Sequence, residues 1–514
     1  VTRRAGLQIL LCALAGVVDF LGFVGFGLFP LAWVAWVPAL AAVRGQPPRR
    51  AFWLGMVFGT VAHVGGYYWV AHMLHAFGGL PRAAALIAMV LLCAYMGVVF
   101  ALVLALARRA ERDLGLAPVW TMAAAYPAVE LFFPNPFPYS IGASQYRFTA
   151  LTQVVEITGM AGLTVLIALL NGAFYELLAA RLERRRPALA RLAVPAAVFA
   201  AFTAYGLVRV PSVEREVAQA RRLRVALVQA NLGARDKAGR RSEFIQRHLD
   251  MTHQAVTADP RLDLVVWPET AYDARVWRSD TNLARHGLLA AGAPLLVGAP
   301  TVEPGGDGRL DVYNSALLVG PTGEVAGRYD KVKLLIFGET IPLVETFPSL
   351  RRRFPRSSTF ARGRTLRNLE LGALSLTPMI CYEDILPAFV RRLWGAAGPS
   401  DALVNLTNDS WYGDSHEPLI HLALSTFRSI ETRRALIRST NTGISALVDP
   451  VGRITARSGQ WTRETLVGEV PLMEHGRSTF YMKAGDLVGW AAGLAVLIGL
   501  AETRRRRAQR APAS

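Results

Sequence analysis

The apolar residues of this 514-residue chain gather at its two ends, from about Ala5 to Val208 and again from about Ala484 to Ala501. Between them lies a mixed-polarity block of roughly 270 residues, ample for one large core. A run of ~20 apolar residues is long enough to cross a bilayer, and only a helix satisfies its own backbone there. This distribution therefore demands two bodies in two solvents. It predicts membrane spans near residues 5–23, 24–43, 51–72, 82–107, 117–134, 160–180 and 188–208, with a further span at 484–501. A membrane domain would thus occupy 1–208, an α/β domain 222–475, and a basic tail 502–514. The boundary between the first two spans falls near Gly22–Gly27. A signal peptide is a weaker reading of the first span, because further spans follow it.

Arginine placement predicts the orientation, since cytoplasmic loops retain Lys and Arg. Arg3 and Arg4 precede the first span, Arg44, Arg49 and Arg50 follow the second, and Arg108, Arg109 and Arg112 follow the fourth. Arg181 and Arg184–Arg186 follow the sixth, and Arg504–Arg507 follow the last. The alternate loops, 73–81 and 134–159, are almost free of basic residues. Both ends of the sequence are therefore expected in the cytoplasm and the mixed-polarity block outside, which in a bacterium with two membranes is the periplasm. Much of the formal charge of +18 is this orienting arginine, and no nucleic-acid partner is needed to explain it. Arg351–Arg353 and Arg356, within the outer block, form a solvated loop or attract anionic headgroups. Cys381 is the block's lone cysteine, so no disulfide forms within it.

The block alternates apolar, β-rich runs with helical stretches. Strands are predicted at Leu223–Leu232, Leu262–Trp267, Pro294–Ala299, Ser315–Val319, Leu371–Ile380, Ala402–Leu406 and Ile444–Val448. Helices are predicted at Glu243–Thr257, Arg278–Ala291, Pro387–Trp394 and Pro418–Thr432. Buried strands separated by helices indicate sheets with helices on a face. Gly320–Gly323 and Asp449–Gly452 read as hairpin turns. The glycines at 305, 306 and 308 lack the Lys-Ser/Thr and helix of a phosphate-binding loop.

Chemistry enters at Cys381, which ends an apolar run and precedes a stretch that can open a helix. A thiol there would feel the positive helix end, which favours thiolate. Glu269 follows Val265-Val266-Trp267-Pro268, just beyond a buried strand. Lys331 lies in Tyr329-Asp330-Lys331-Val332-Lys333, shortly before Glu339. Taken singly, these are a core cysteine, a turn carboxylate and a surface lysine. Together they suit acyl transfer, with a carboxylate to move the thiol proton and a fixed cation for thiolate and oxyanion. The Tyr382 N–H is a second oxyanion donor, and Glu339 and Glu383 are carboxylates that can orient Lys331 or an acceptor amine.

Trp267-Pro268-Glu269, Tyr329-Asp330-Lys331 and Ile380-Cys381-Tyr382-Glu383 resemble the Glu-Lys-Cys triad segments of the nitrilase, or carbon–nitrogen hydrolase, superfamily. Set among membrane spans, they resemble its apolipoprotein N-acyltransferase branch. Asn405–Gly413 and Arg438–Ile444 are similar to two further stretches of that branch, as is the loop from Phe137 to Gln145. The resemblance implies a multi-span α-helical membrane domain joined to an extracytoplasmic αββα sandwich, with Glu269, Lys331 and Cys381 as triad. It implies a phospholipid acyl donor, phosphatidylethanolamine, a Cys381 thioester, and a diacylglyceryl-modified N-terminal cysteine of an apolipoprotein as acceptor, with no cofactor and no metal. The chain departs from the branch at Lys333, Ile336 and Thr340, where His, Pro and Tyr are usual, and in lacking a Trp soon after Asn231.

His416, Glu417 and His421 do not match the His-Glu-x-x-His spacing and are expected to cap or line a loop. Asp19 and Glu130, ionisable residues within spans, either serve function or satisfy helix contacts. Trp53, Tyr67, Tyr68, Trp69 and Trp120 are expected as interface anchors. Two alternatives to acyl transfer onto a lipoprotein are a membrane-tethered amidase, or an acyltransferase with another acceptor, and a catalytically idle lipid-binding scaffold.

Overall fold

The computed structural model describes residues 3–233, 241–290, 292–306, 308–335, 339–340, 360–474 and 478–510. Ile336 and the cluster of Arg351–Arg353 and Arg356 lie outside them. The chain divides into one unit of residues 1–75, 79–210 and 483–514, and a second of residues 76–78 and 211–482.

The first unit is helical. Among the described residues, Arg3–Gly22, Arg82–Leu114, Met160–Leu182, Leu189–Gln219 and Leu487–Gln509 are long and apolar enough to cross a membrane. Pro48–Tyr67 and Pro118–Phe132 are shorter or less apolar helices between them. The predicted span 24–43 is not one helix. Gly25 and Gly27 take positive φ, and a 3₁₀ turn, Phe29–Trp33, precedes a short helix, Val37–Val43. Pro30 and Pro38 sit at the starts of these pieces, where a missing N–H costs nothing.

Lipid tails offer no hydrophobic drive, so membrane helices pair through small residues. A Cβ on Gly59 would lie 2.5 Å from the Gly97 carbonyl oxygen, and one on Gly55 2.6 Å from Ala101 Cα. This close approach seats Pro48–Tyr67 against Arg82–Leu114. Of the two carboxylates expected within spans, Asp19 is buried and accepts from the hydroxyl of Tyr139, in a loop, and Glu130 is partly buried, its Oε2 accepting from Thr164 Oγ1 on helix Met160–Leu182 at 2.7 Å. Trp53 and Tyr68 are exposed, as anchors would be, but Tyr67 and Trp69 are buried. The Tyr67 hydroxyl reaches the Pro138 carbonyl, so its polar end is satisfied within the protein.

The second unit carries two sheets. In chain order its strands are β1 (Arg221–Gln229), β2 (Leu264–Val266), β3 (Val276–Trp277), β4 (Leu295–Pro304), β5 (Leu310–Val319), β6 (Val325–Asp330), β7 (Leu369–Leu371), β8 (Leu374–Ile380), β9 (Ala402–Thr407), β10 (Ala435–Thr440), β11 (Ala446–Val448), β12 (Ile454–Arg457) and β13 (Glu464–Leu472). One sheet runs β13-β1-β2-β4-β5-β6, with β3 also beside β4; the other runs β12-β11-β10-β9-β8-β7. β1, β2 and β4 are parallel, as are β8, β9 and β10, so their carboxyl ends share an edge within each sheet.

Strand alternation builds the layers. Val225, Leu227, Leu264, Val266 and Leu296 join Leu376, Leu403 and Leu436 in a core shared by the two sheets. Their neighbours Ala226, Val228, Val265 and Val297 face the other way, onto Phe244, Met251 and Ala255 of helix Arg241–Ala258. Helices Pro387–Ala397 and Glu417–Thr432 pack on the second sheet through Phe389, Leu393 and Leu422. The result is an αββα sandwich.

Both expected hairpin turns form, closed by Gly323 N–H to Gly320 O and Gly452 N–H to Asp449 O. The predicted helix Arg278–Ala291 does not form. Its two buried leucines, Leu283 and Leu288, are five residues apart, off the three-to-four spacing of a helical face. Instead Asp280 pairs with Arg285 and His286, and the Leu283 N–H bonds the Gly323 carbonyl.

Candidate active site

Each predicted triad residue follows the end of a strand. Glu269 comes three residues after β2, Lys331 directly after β6, and Cys381 directly after β8. All three are buried, at 5%, 1% and 4% exposure. Burying a lysine is costly unless it is paired, and this one is paired twice. Lys331 Nζ lies 3.1 Å from Glu269 Oε1 and 2.8 Å from Glu339 Oε2.

Asn314, on β5, completes the arrangement and was not singled out from the sequence. Its Nδ2 donates to Glu269 Oε1 at 2.7 Å and to Glu339 Oε1 at 2.9 Å. Its carbonyl accepts the Lys331 N–H at 2.8 Å. One asparagine thus spaces both carboxylates and fixes the backbone carrying the lysine. Nothing local marked it: Asn314 stands one residue before the predicted strand Ser315–Val319, beside another polar residue, and β5 also carries Asp311. Gly298, on β4, is equally constrained, because a Cβ there would lie 2.7 Å from Glu269 Cα and 2.5 Å from the Pro268 carbonyl oxygen.

Two atoms of this cluster are left over. Glu269 Oε2 and Asn314 Oδ1 are buried with no hydrogen-bond partner among the described residues. A buried orphan acceptor costs about 1–3 kcal/mol, so its retention is a candidate mark of function.

Glu383 plays another part. Its carboxylate accepts the Val332 and Lys333 N–H groups at 2.7 and 2.8 Å, the Ile380 N–H at 2.9 Å and the Tyr329 hydroxyl at 3.0 Å. It ties the Lys331 segment to the Cys381 turn through the backbone rather than through Nζ. The departure at Lys333 leaves this bond intact, because the side chain is exposed and only the main chain is used. Tyr382, partly buried, sits in the first turn of the 3₁₀ helix Cys381–Ile385, where main-chain N–H groups have no partner within the helix.

The expectation of a resting thiolate needs correction. Burial, and then the negative charge of Glu269, push the Cys381 thiol well above its usual range, and Lys331 only partly opposes them. A 3₁₀ turn of five residues is too short to offset that desolvation. Burial alone would push Lys331 down, but Cys381, Glu269 and Glu339 outweigh it, so the ammonium stays charged. Both groups therefore hold their protons more tightly than usual, the thiol through burial and Glu269, the lysine through the negative charge around it.

A second buried polar cluster lies under the same turn. Arg438 Nη1 donates to Asp384 Oδ2 and Asn405 Oδ1, and Nη2 donates to Asp409 Oδ2. His421 bridges the carboxylates, Nε2 lying 2.8 Å from Asp384 and Nδ1 3.2 Å from Asp409. Burial and Arg438 would push His421 down, but the carboxylates raise it to about 9. Asp409, Glu417 and His421 bring potential ligand atoms within 4.8 Å of one another. Here both histidine nitrogens already face carboxylates and Arg438 occupies the other Asp409 oxygen, while Glu417 Oε2 and Arg438 Nε are buried without a hydrogen-bond partner among the described residues.

Residues 224–477 match the carbon-nitrogen hydrolase family model, and residues 15–173 that of the apolipoprotein N-acyltransferase N-terminal domain. The chain is 34% identical to an apolipoprotein N-acyltransferase of Geobacter metallireducens, covering 96% of this chain and 95% of the relative. It is 30% identical to that of Bdellovibrio bacteriovorus (87% and 85% covered) and 34% to that of Azotobacter vinelandii (91% and 90% covered). On matches spanning both the helical unit and the sandwich, the chain belongs to the apolipoprotein N-acyltransferase family, membrane-embedded acyltransferases with a nitrilase-like domain.

Proposed function

We propose that the protein moves an acyl chain from a membrane phospholipid, phosphatidylethanolamine, to the α-amino group of a diacylglyceryl-modified N-terminal cysteine on an apolipoprotein. One observation carries the chemistry: Lys331 clamped between Glu269 and Glu339, with one Glu269 oxygen unpartnered among the described residues, and all three charges acting on the buried Cys381 thiol. Family membership supplies the substrate class.

In the first half-reaction Glu269 takes the thiol proton through its unpartnered Oε2, and Cys381 Sγ attacks the ester carbonyl carbon. Lys331 and the Tyr382 N–H bear the oxyanion of the tetrahedral intermediate. Its collapse breaks the C–O bond, and the departing lysophospholipid alkoxide takes the proton back from Glu269. In the second half-reaction the acceptor amine attacks the thioester while Glu269 removes its proton. The thiolate then leaves and is reprotonated by Glu269. The ester's free energy passes through the thioester, so the balance requires no external energy source. Asn314 and Glu339 hold Lys331 and Glu269 in register throughout, and Glu383 holds the Lys331 backbone. Both substrates are lipids, which is why a membrane unit accompanies the sandwich. The arginine pattern supports a bacterial inner-membrane location with the sandwich in the periplasm and the basic loops in the cytoplasm. The domain arrangement read from the sequence, a membrane part at 1–208 and 484–501 around a catalytic part at 222–475, belongs to the same proposal.

Intact mass spectrometry of the purified protein with phosphatidylethanolamine, before and after a diacylated lipopeptide is added, tests this reading. An acyl adduct is expected that Cys381→Ala lacks and that the lipopeptide discharges as an N-acyl product. An adduct lost only to water, or none on folded protein, would overturn the assignment.

A further inference from the structure

Cys381 adopts φ +54°, a left-handed conformation that is strained for a residue bearing a Cβ. Such a conformation persists only where its surroundings hold it. The carbonyl of Cys381 itself accepts a hydrogen bond from Asn405 Nδ2 at 2.9 Å. Asn405 is fully buried on β9, and its Oδ1 accepts from Arg438 Nη1 at 3.0 Å. The same guanidinium nitrogen reaches Asp384 Oδ2, three residues beyond Cys381 in the same 3₁₀ turn. His421 and Ser425, from helix Glu417–Thr432, hold that aspartate as well. The nucleophile turn is thus gripped at both ends, at the Cys381 carbonyl and at the Asp384 side chain, by one network crossing β9, β10 and a helix.

We propose that Asn405 is a positioning residue for the nucleophile: its amide fixes the Cys381 carbonyl, and Arg438, set by Asp384, Asp409 and His421, fixes the amide. The geometry also orients Asn405, since a guanidinium can only donate and so must face the amide oxygen, leaving Nδ2 towards Cys381. No substrate contact is assigned to Asn405, and it acts through the backbone of Cys381. The proposal rests on Cys381 being the acyl-accepting nucleophile.

Two substitutions separate the links. Asn405→Asp keeps the side-chain size and an acceptor for Arg438 but cannot donate to the Cys381 carbonyl. Asn405→Leu removes both bonds. Acyl-adduct formation from phosphatidylethanolamine is followed by intact mass spectrometry, alongside alkylation of Cys381 by iodoacetamide across pH and thermal unfolding in detergent. Asn405→Asp is expected to unfold within a few degrees of the parent, to lower the adduct-forming rate at saturating donor about 30-fold or more, and to leave the donor KM within about twofold. Its alkylation profile is expected to move as well, although alkylation involves no lipid. Asn405→Leu should lose at least as much rate and be less stable. A folded Asn405→Asp with the parent's rate and alkylation profile would overturn the proposal. So would a variant that fails to fold, which would make Asn405 a folding residue, or a loss confined to KM. An unaltered chain forming no adduct would instead refute the acyl-transfer reading, and the alkylation profile would still decide the role of Asn405.

Discussion

Two buried polar clusters flank the Cys381 turn, and they are built on opposite principles. Around Arg438, Asp384 and Asp409 face two cations, Arg438 and a protonated His421, so these four charges cancel, while burial and then Asp409 push the neighbouring Glu417 carboxyl well above its usual range. Around Lys331, two carboxylates share one cation. Both clusters keep buried atoms unpartnered among the described residues, Arg438 Nε and Glu417 Oε2 in the first, Glu269 Oε2 and Asn314 Oδ1 in the second. The first is thus closed and the second open in charge, not in hydrogen bonding. The open oxygen of Glu269 is what a proton-moving site requires, because an oxygen with all its hydrogen bonds made has no place for another proton.

The sharpest way to break this comparison is to remove one charge from each. Arg438→Met leaves Asp384 and Asp409 buried without their guanidinium, and removing one partner of a buried pair costs about 3–5 kcal/mol. A large fall in the thermal midpoint in detergent is expected, with activity lost because the fold is lost. Glu269→Gln, in the open cluster, removes a charge from a site already short of cations and should leave the midpoint close to the parent's or above it. Equal destabilisation by both variants would show that the clusters do not differ in the way their charge balance indicates.

Raising the pH tests the closed cluster without mutation. The folded His421 titrates near 9, against about 6.5 for an unperturbed histidine. A raised pKa means the folded state holds the proton more tightly. The stabilisation is therefore complete below about pH 6.5 and lost as pH rises towards 9, on the order of 3 kcal/mol in all. Asp384 and Asp409 behave oppositely. Burial would raise them, but Arg438 and His421 outweigh it and hold both below the usual carboxylate range. Their contribution is present above about pH 3.9 and lost as pH falls through the folded values. The thermal midpoint should decline from near-neutral pH into the alkaline range, and His421→Gln should flatten that decline. A parent midpoint constant between pH 6.5 and 9 would contradict a protonated His421.

The unequal visibility of these clusters in the sequence follows from the same physics. Cys381 and Glu269 were legible because each follows a strand read from its apolar residues, and Lys331, whose strand β6 was not predicted, because a Glu-Lys-Cys set in that order suits one chemistry. Arg438 was not, because β10 was not predicted as a strand. Its run Ala-Leu-Ile-Arg-Ser-Thr places a charge and two hydroxyls where an apolar pattern is sought, and all six residues are buried. His421 was seen only as a loop or capping residue, and Asp409 only as part of the stretch Asn405–Gly413, since nothing local shows that a distant arginine pairs with that aspartate. Asn314 was missed for the same reason, as its two carboxylate partners lie 45 and 25 residues away. In the membrane unit the apolar lengths were legible. The boundary near Gly22–Gly27 was read as well, but the division of 24–43 into a 3₁₀ turn and a short helix was not, because an apolar run reports hydrophobicity without reporting φ.

The finest test of the open cluster uses the thiol as a probe of its charge. Burial, then Glu269, raises the Cys381 pKa, and Lys331 lowers it. Glu269→Gln removes a negative charge while keeping the side chain's shape, so the thiol should become more acidic by about one unit, equivalent to roughly 1.4 kcal/mol. The pH profile of iodoacetamide alkylation would then move to lower pH, and alkylation at a fixed, mildly alkaline pH would quicken. Acyl-adduct formation should move the other way, falling about 10²–10⁴-fold because the base that takes the thiol proton is gone. Lys331→Met should shift the alkylation profile to higher pH while also slowing acylation. Only a site in which Glu269 acts as base, and not as a stabiliser of thiolate, separates thiol acidity from acyl transfer in this way. If Glu269→Gln shifted the alkylation profile upward, the carboxylate would be favouring the thiolate through a hydrogen bond, and its role as base would fail.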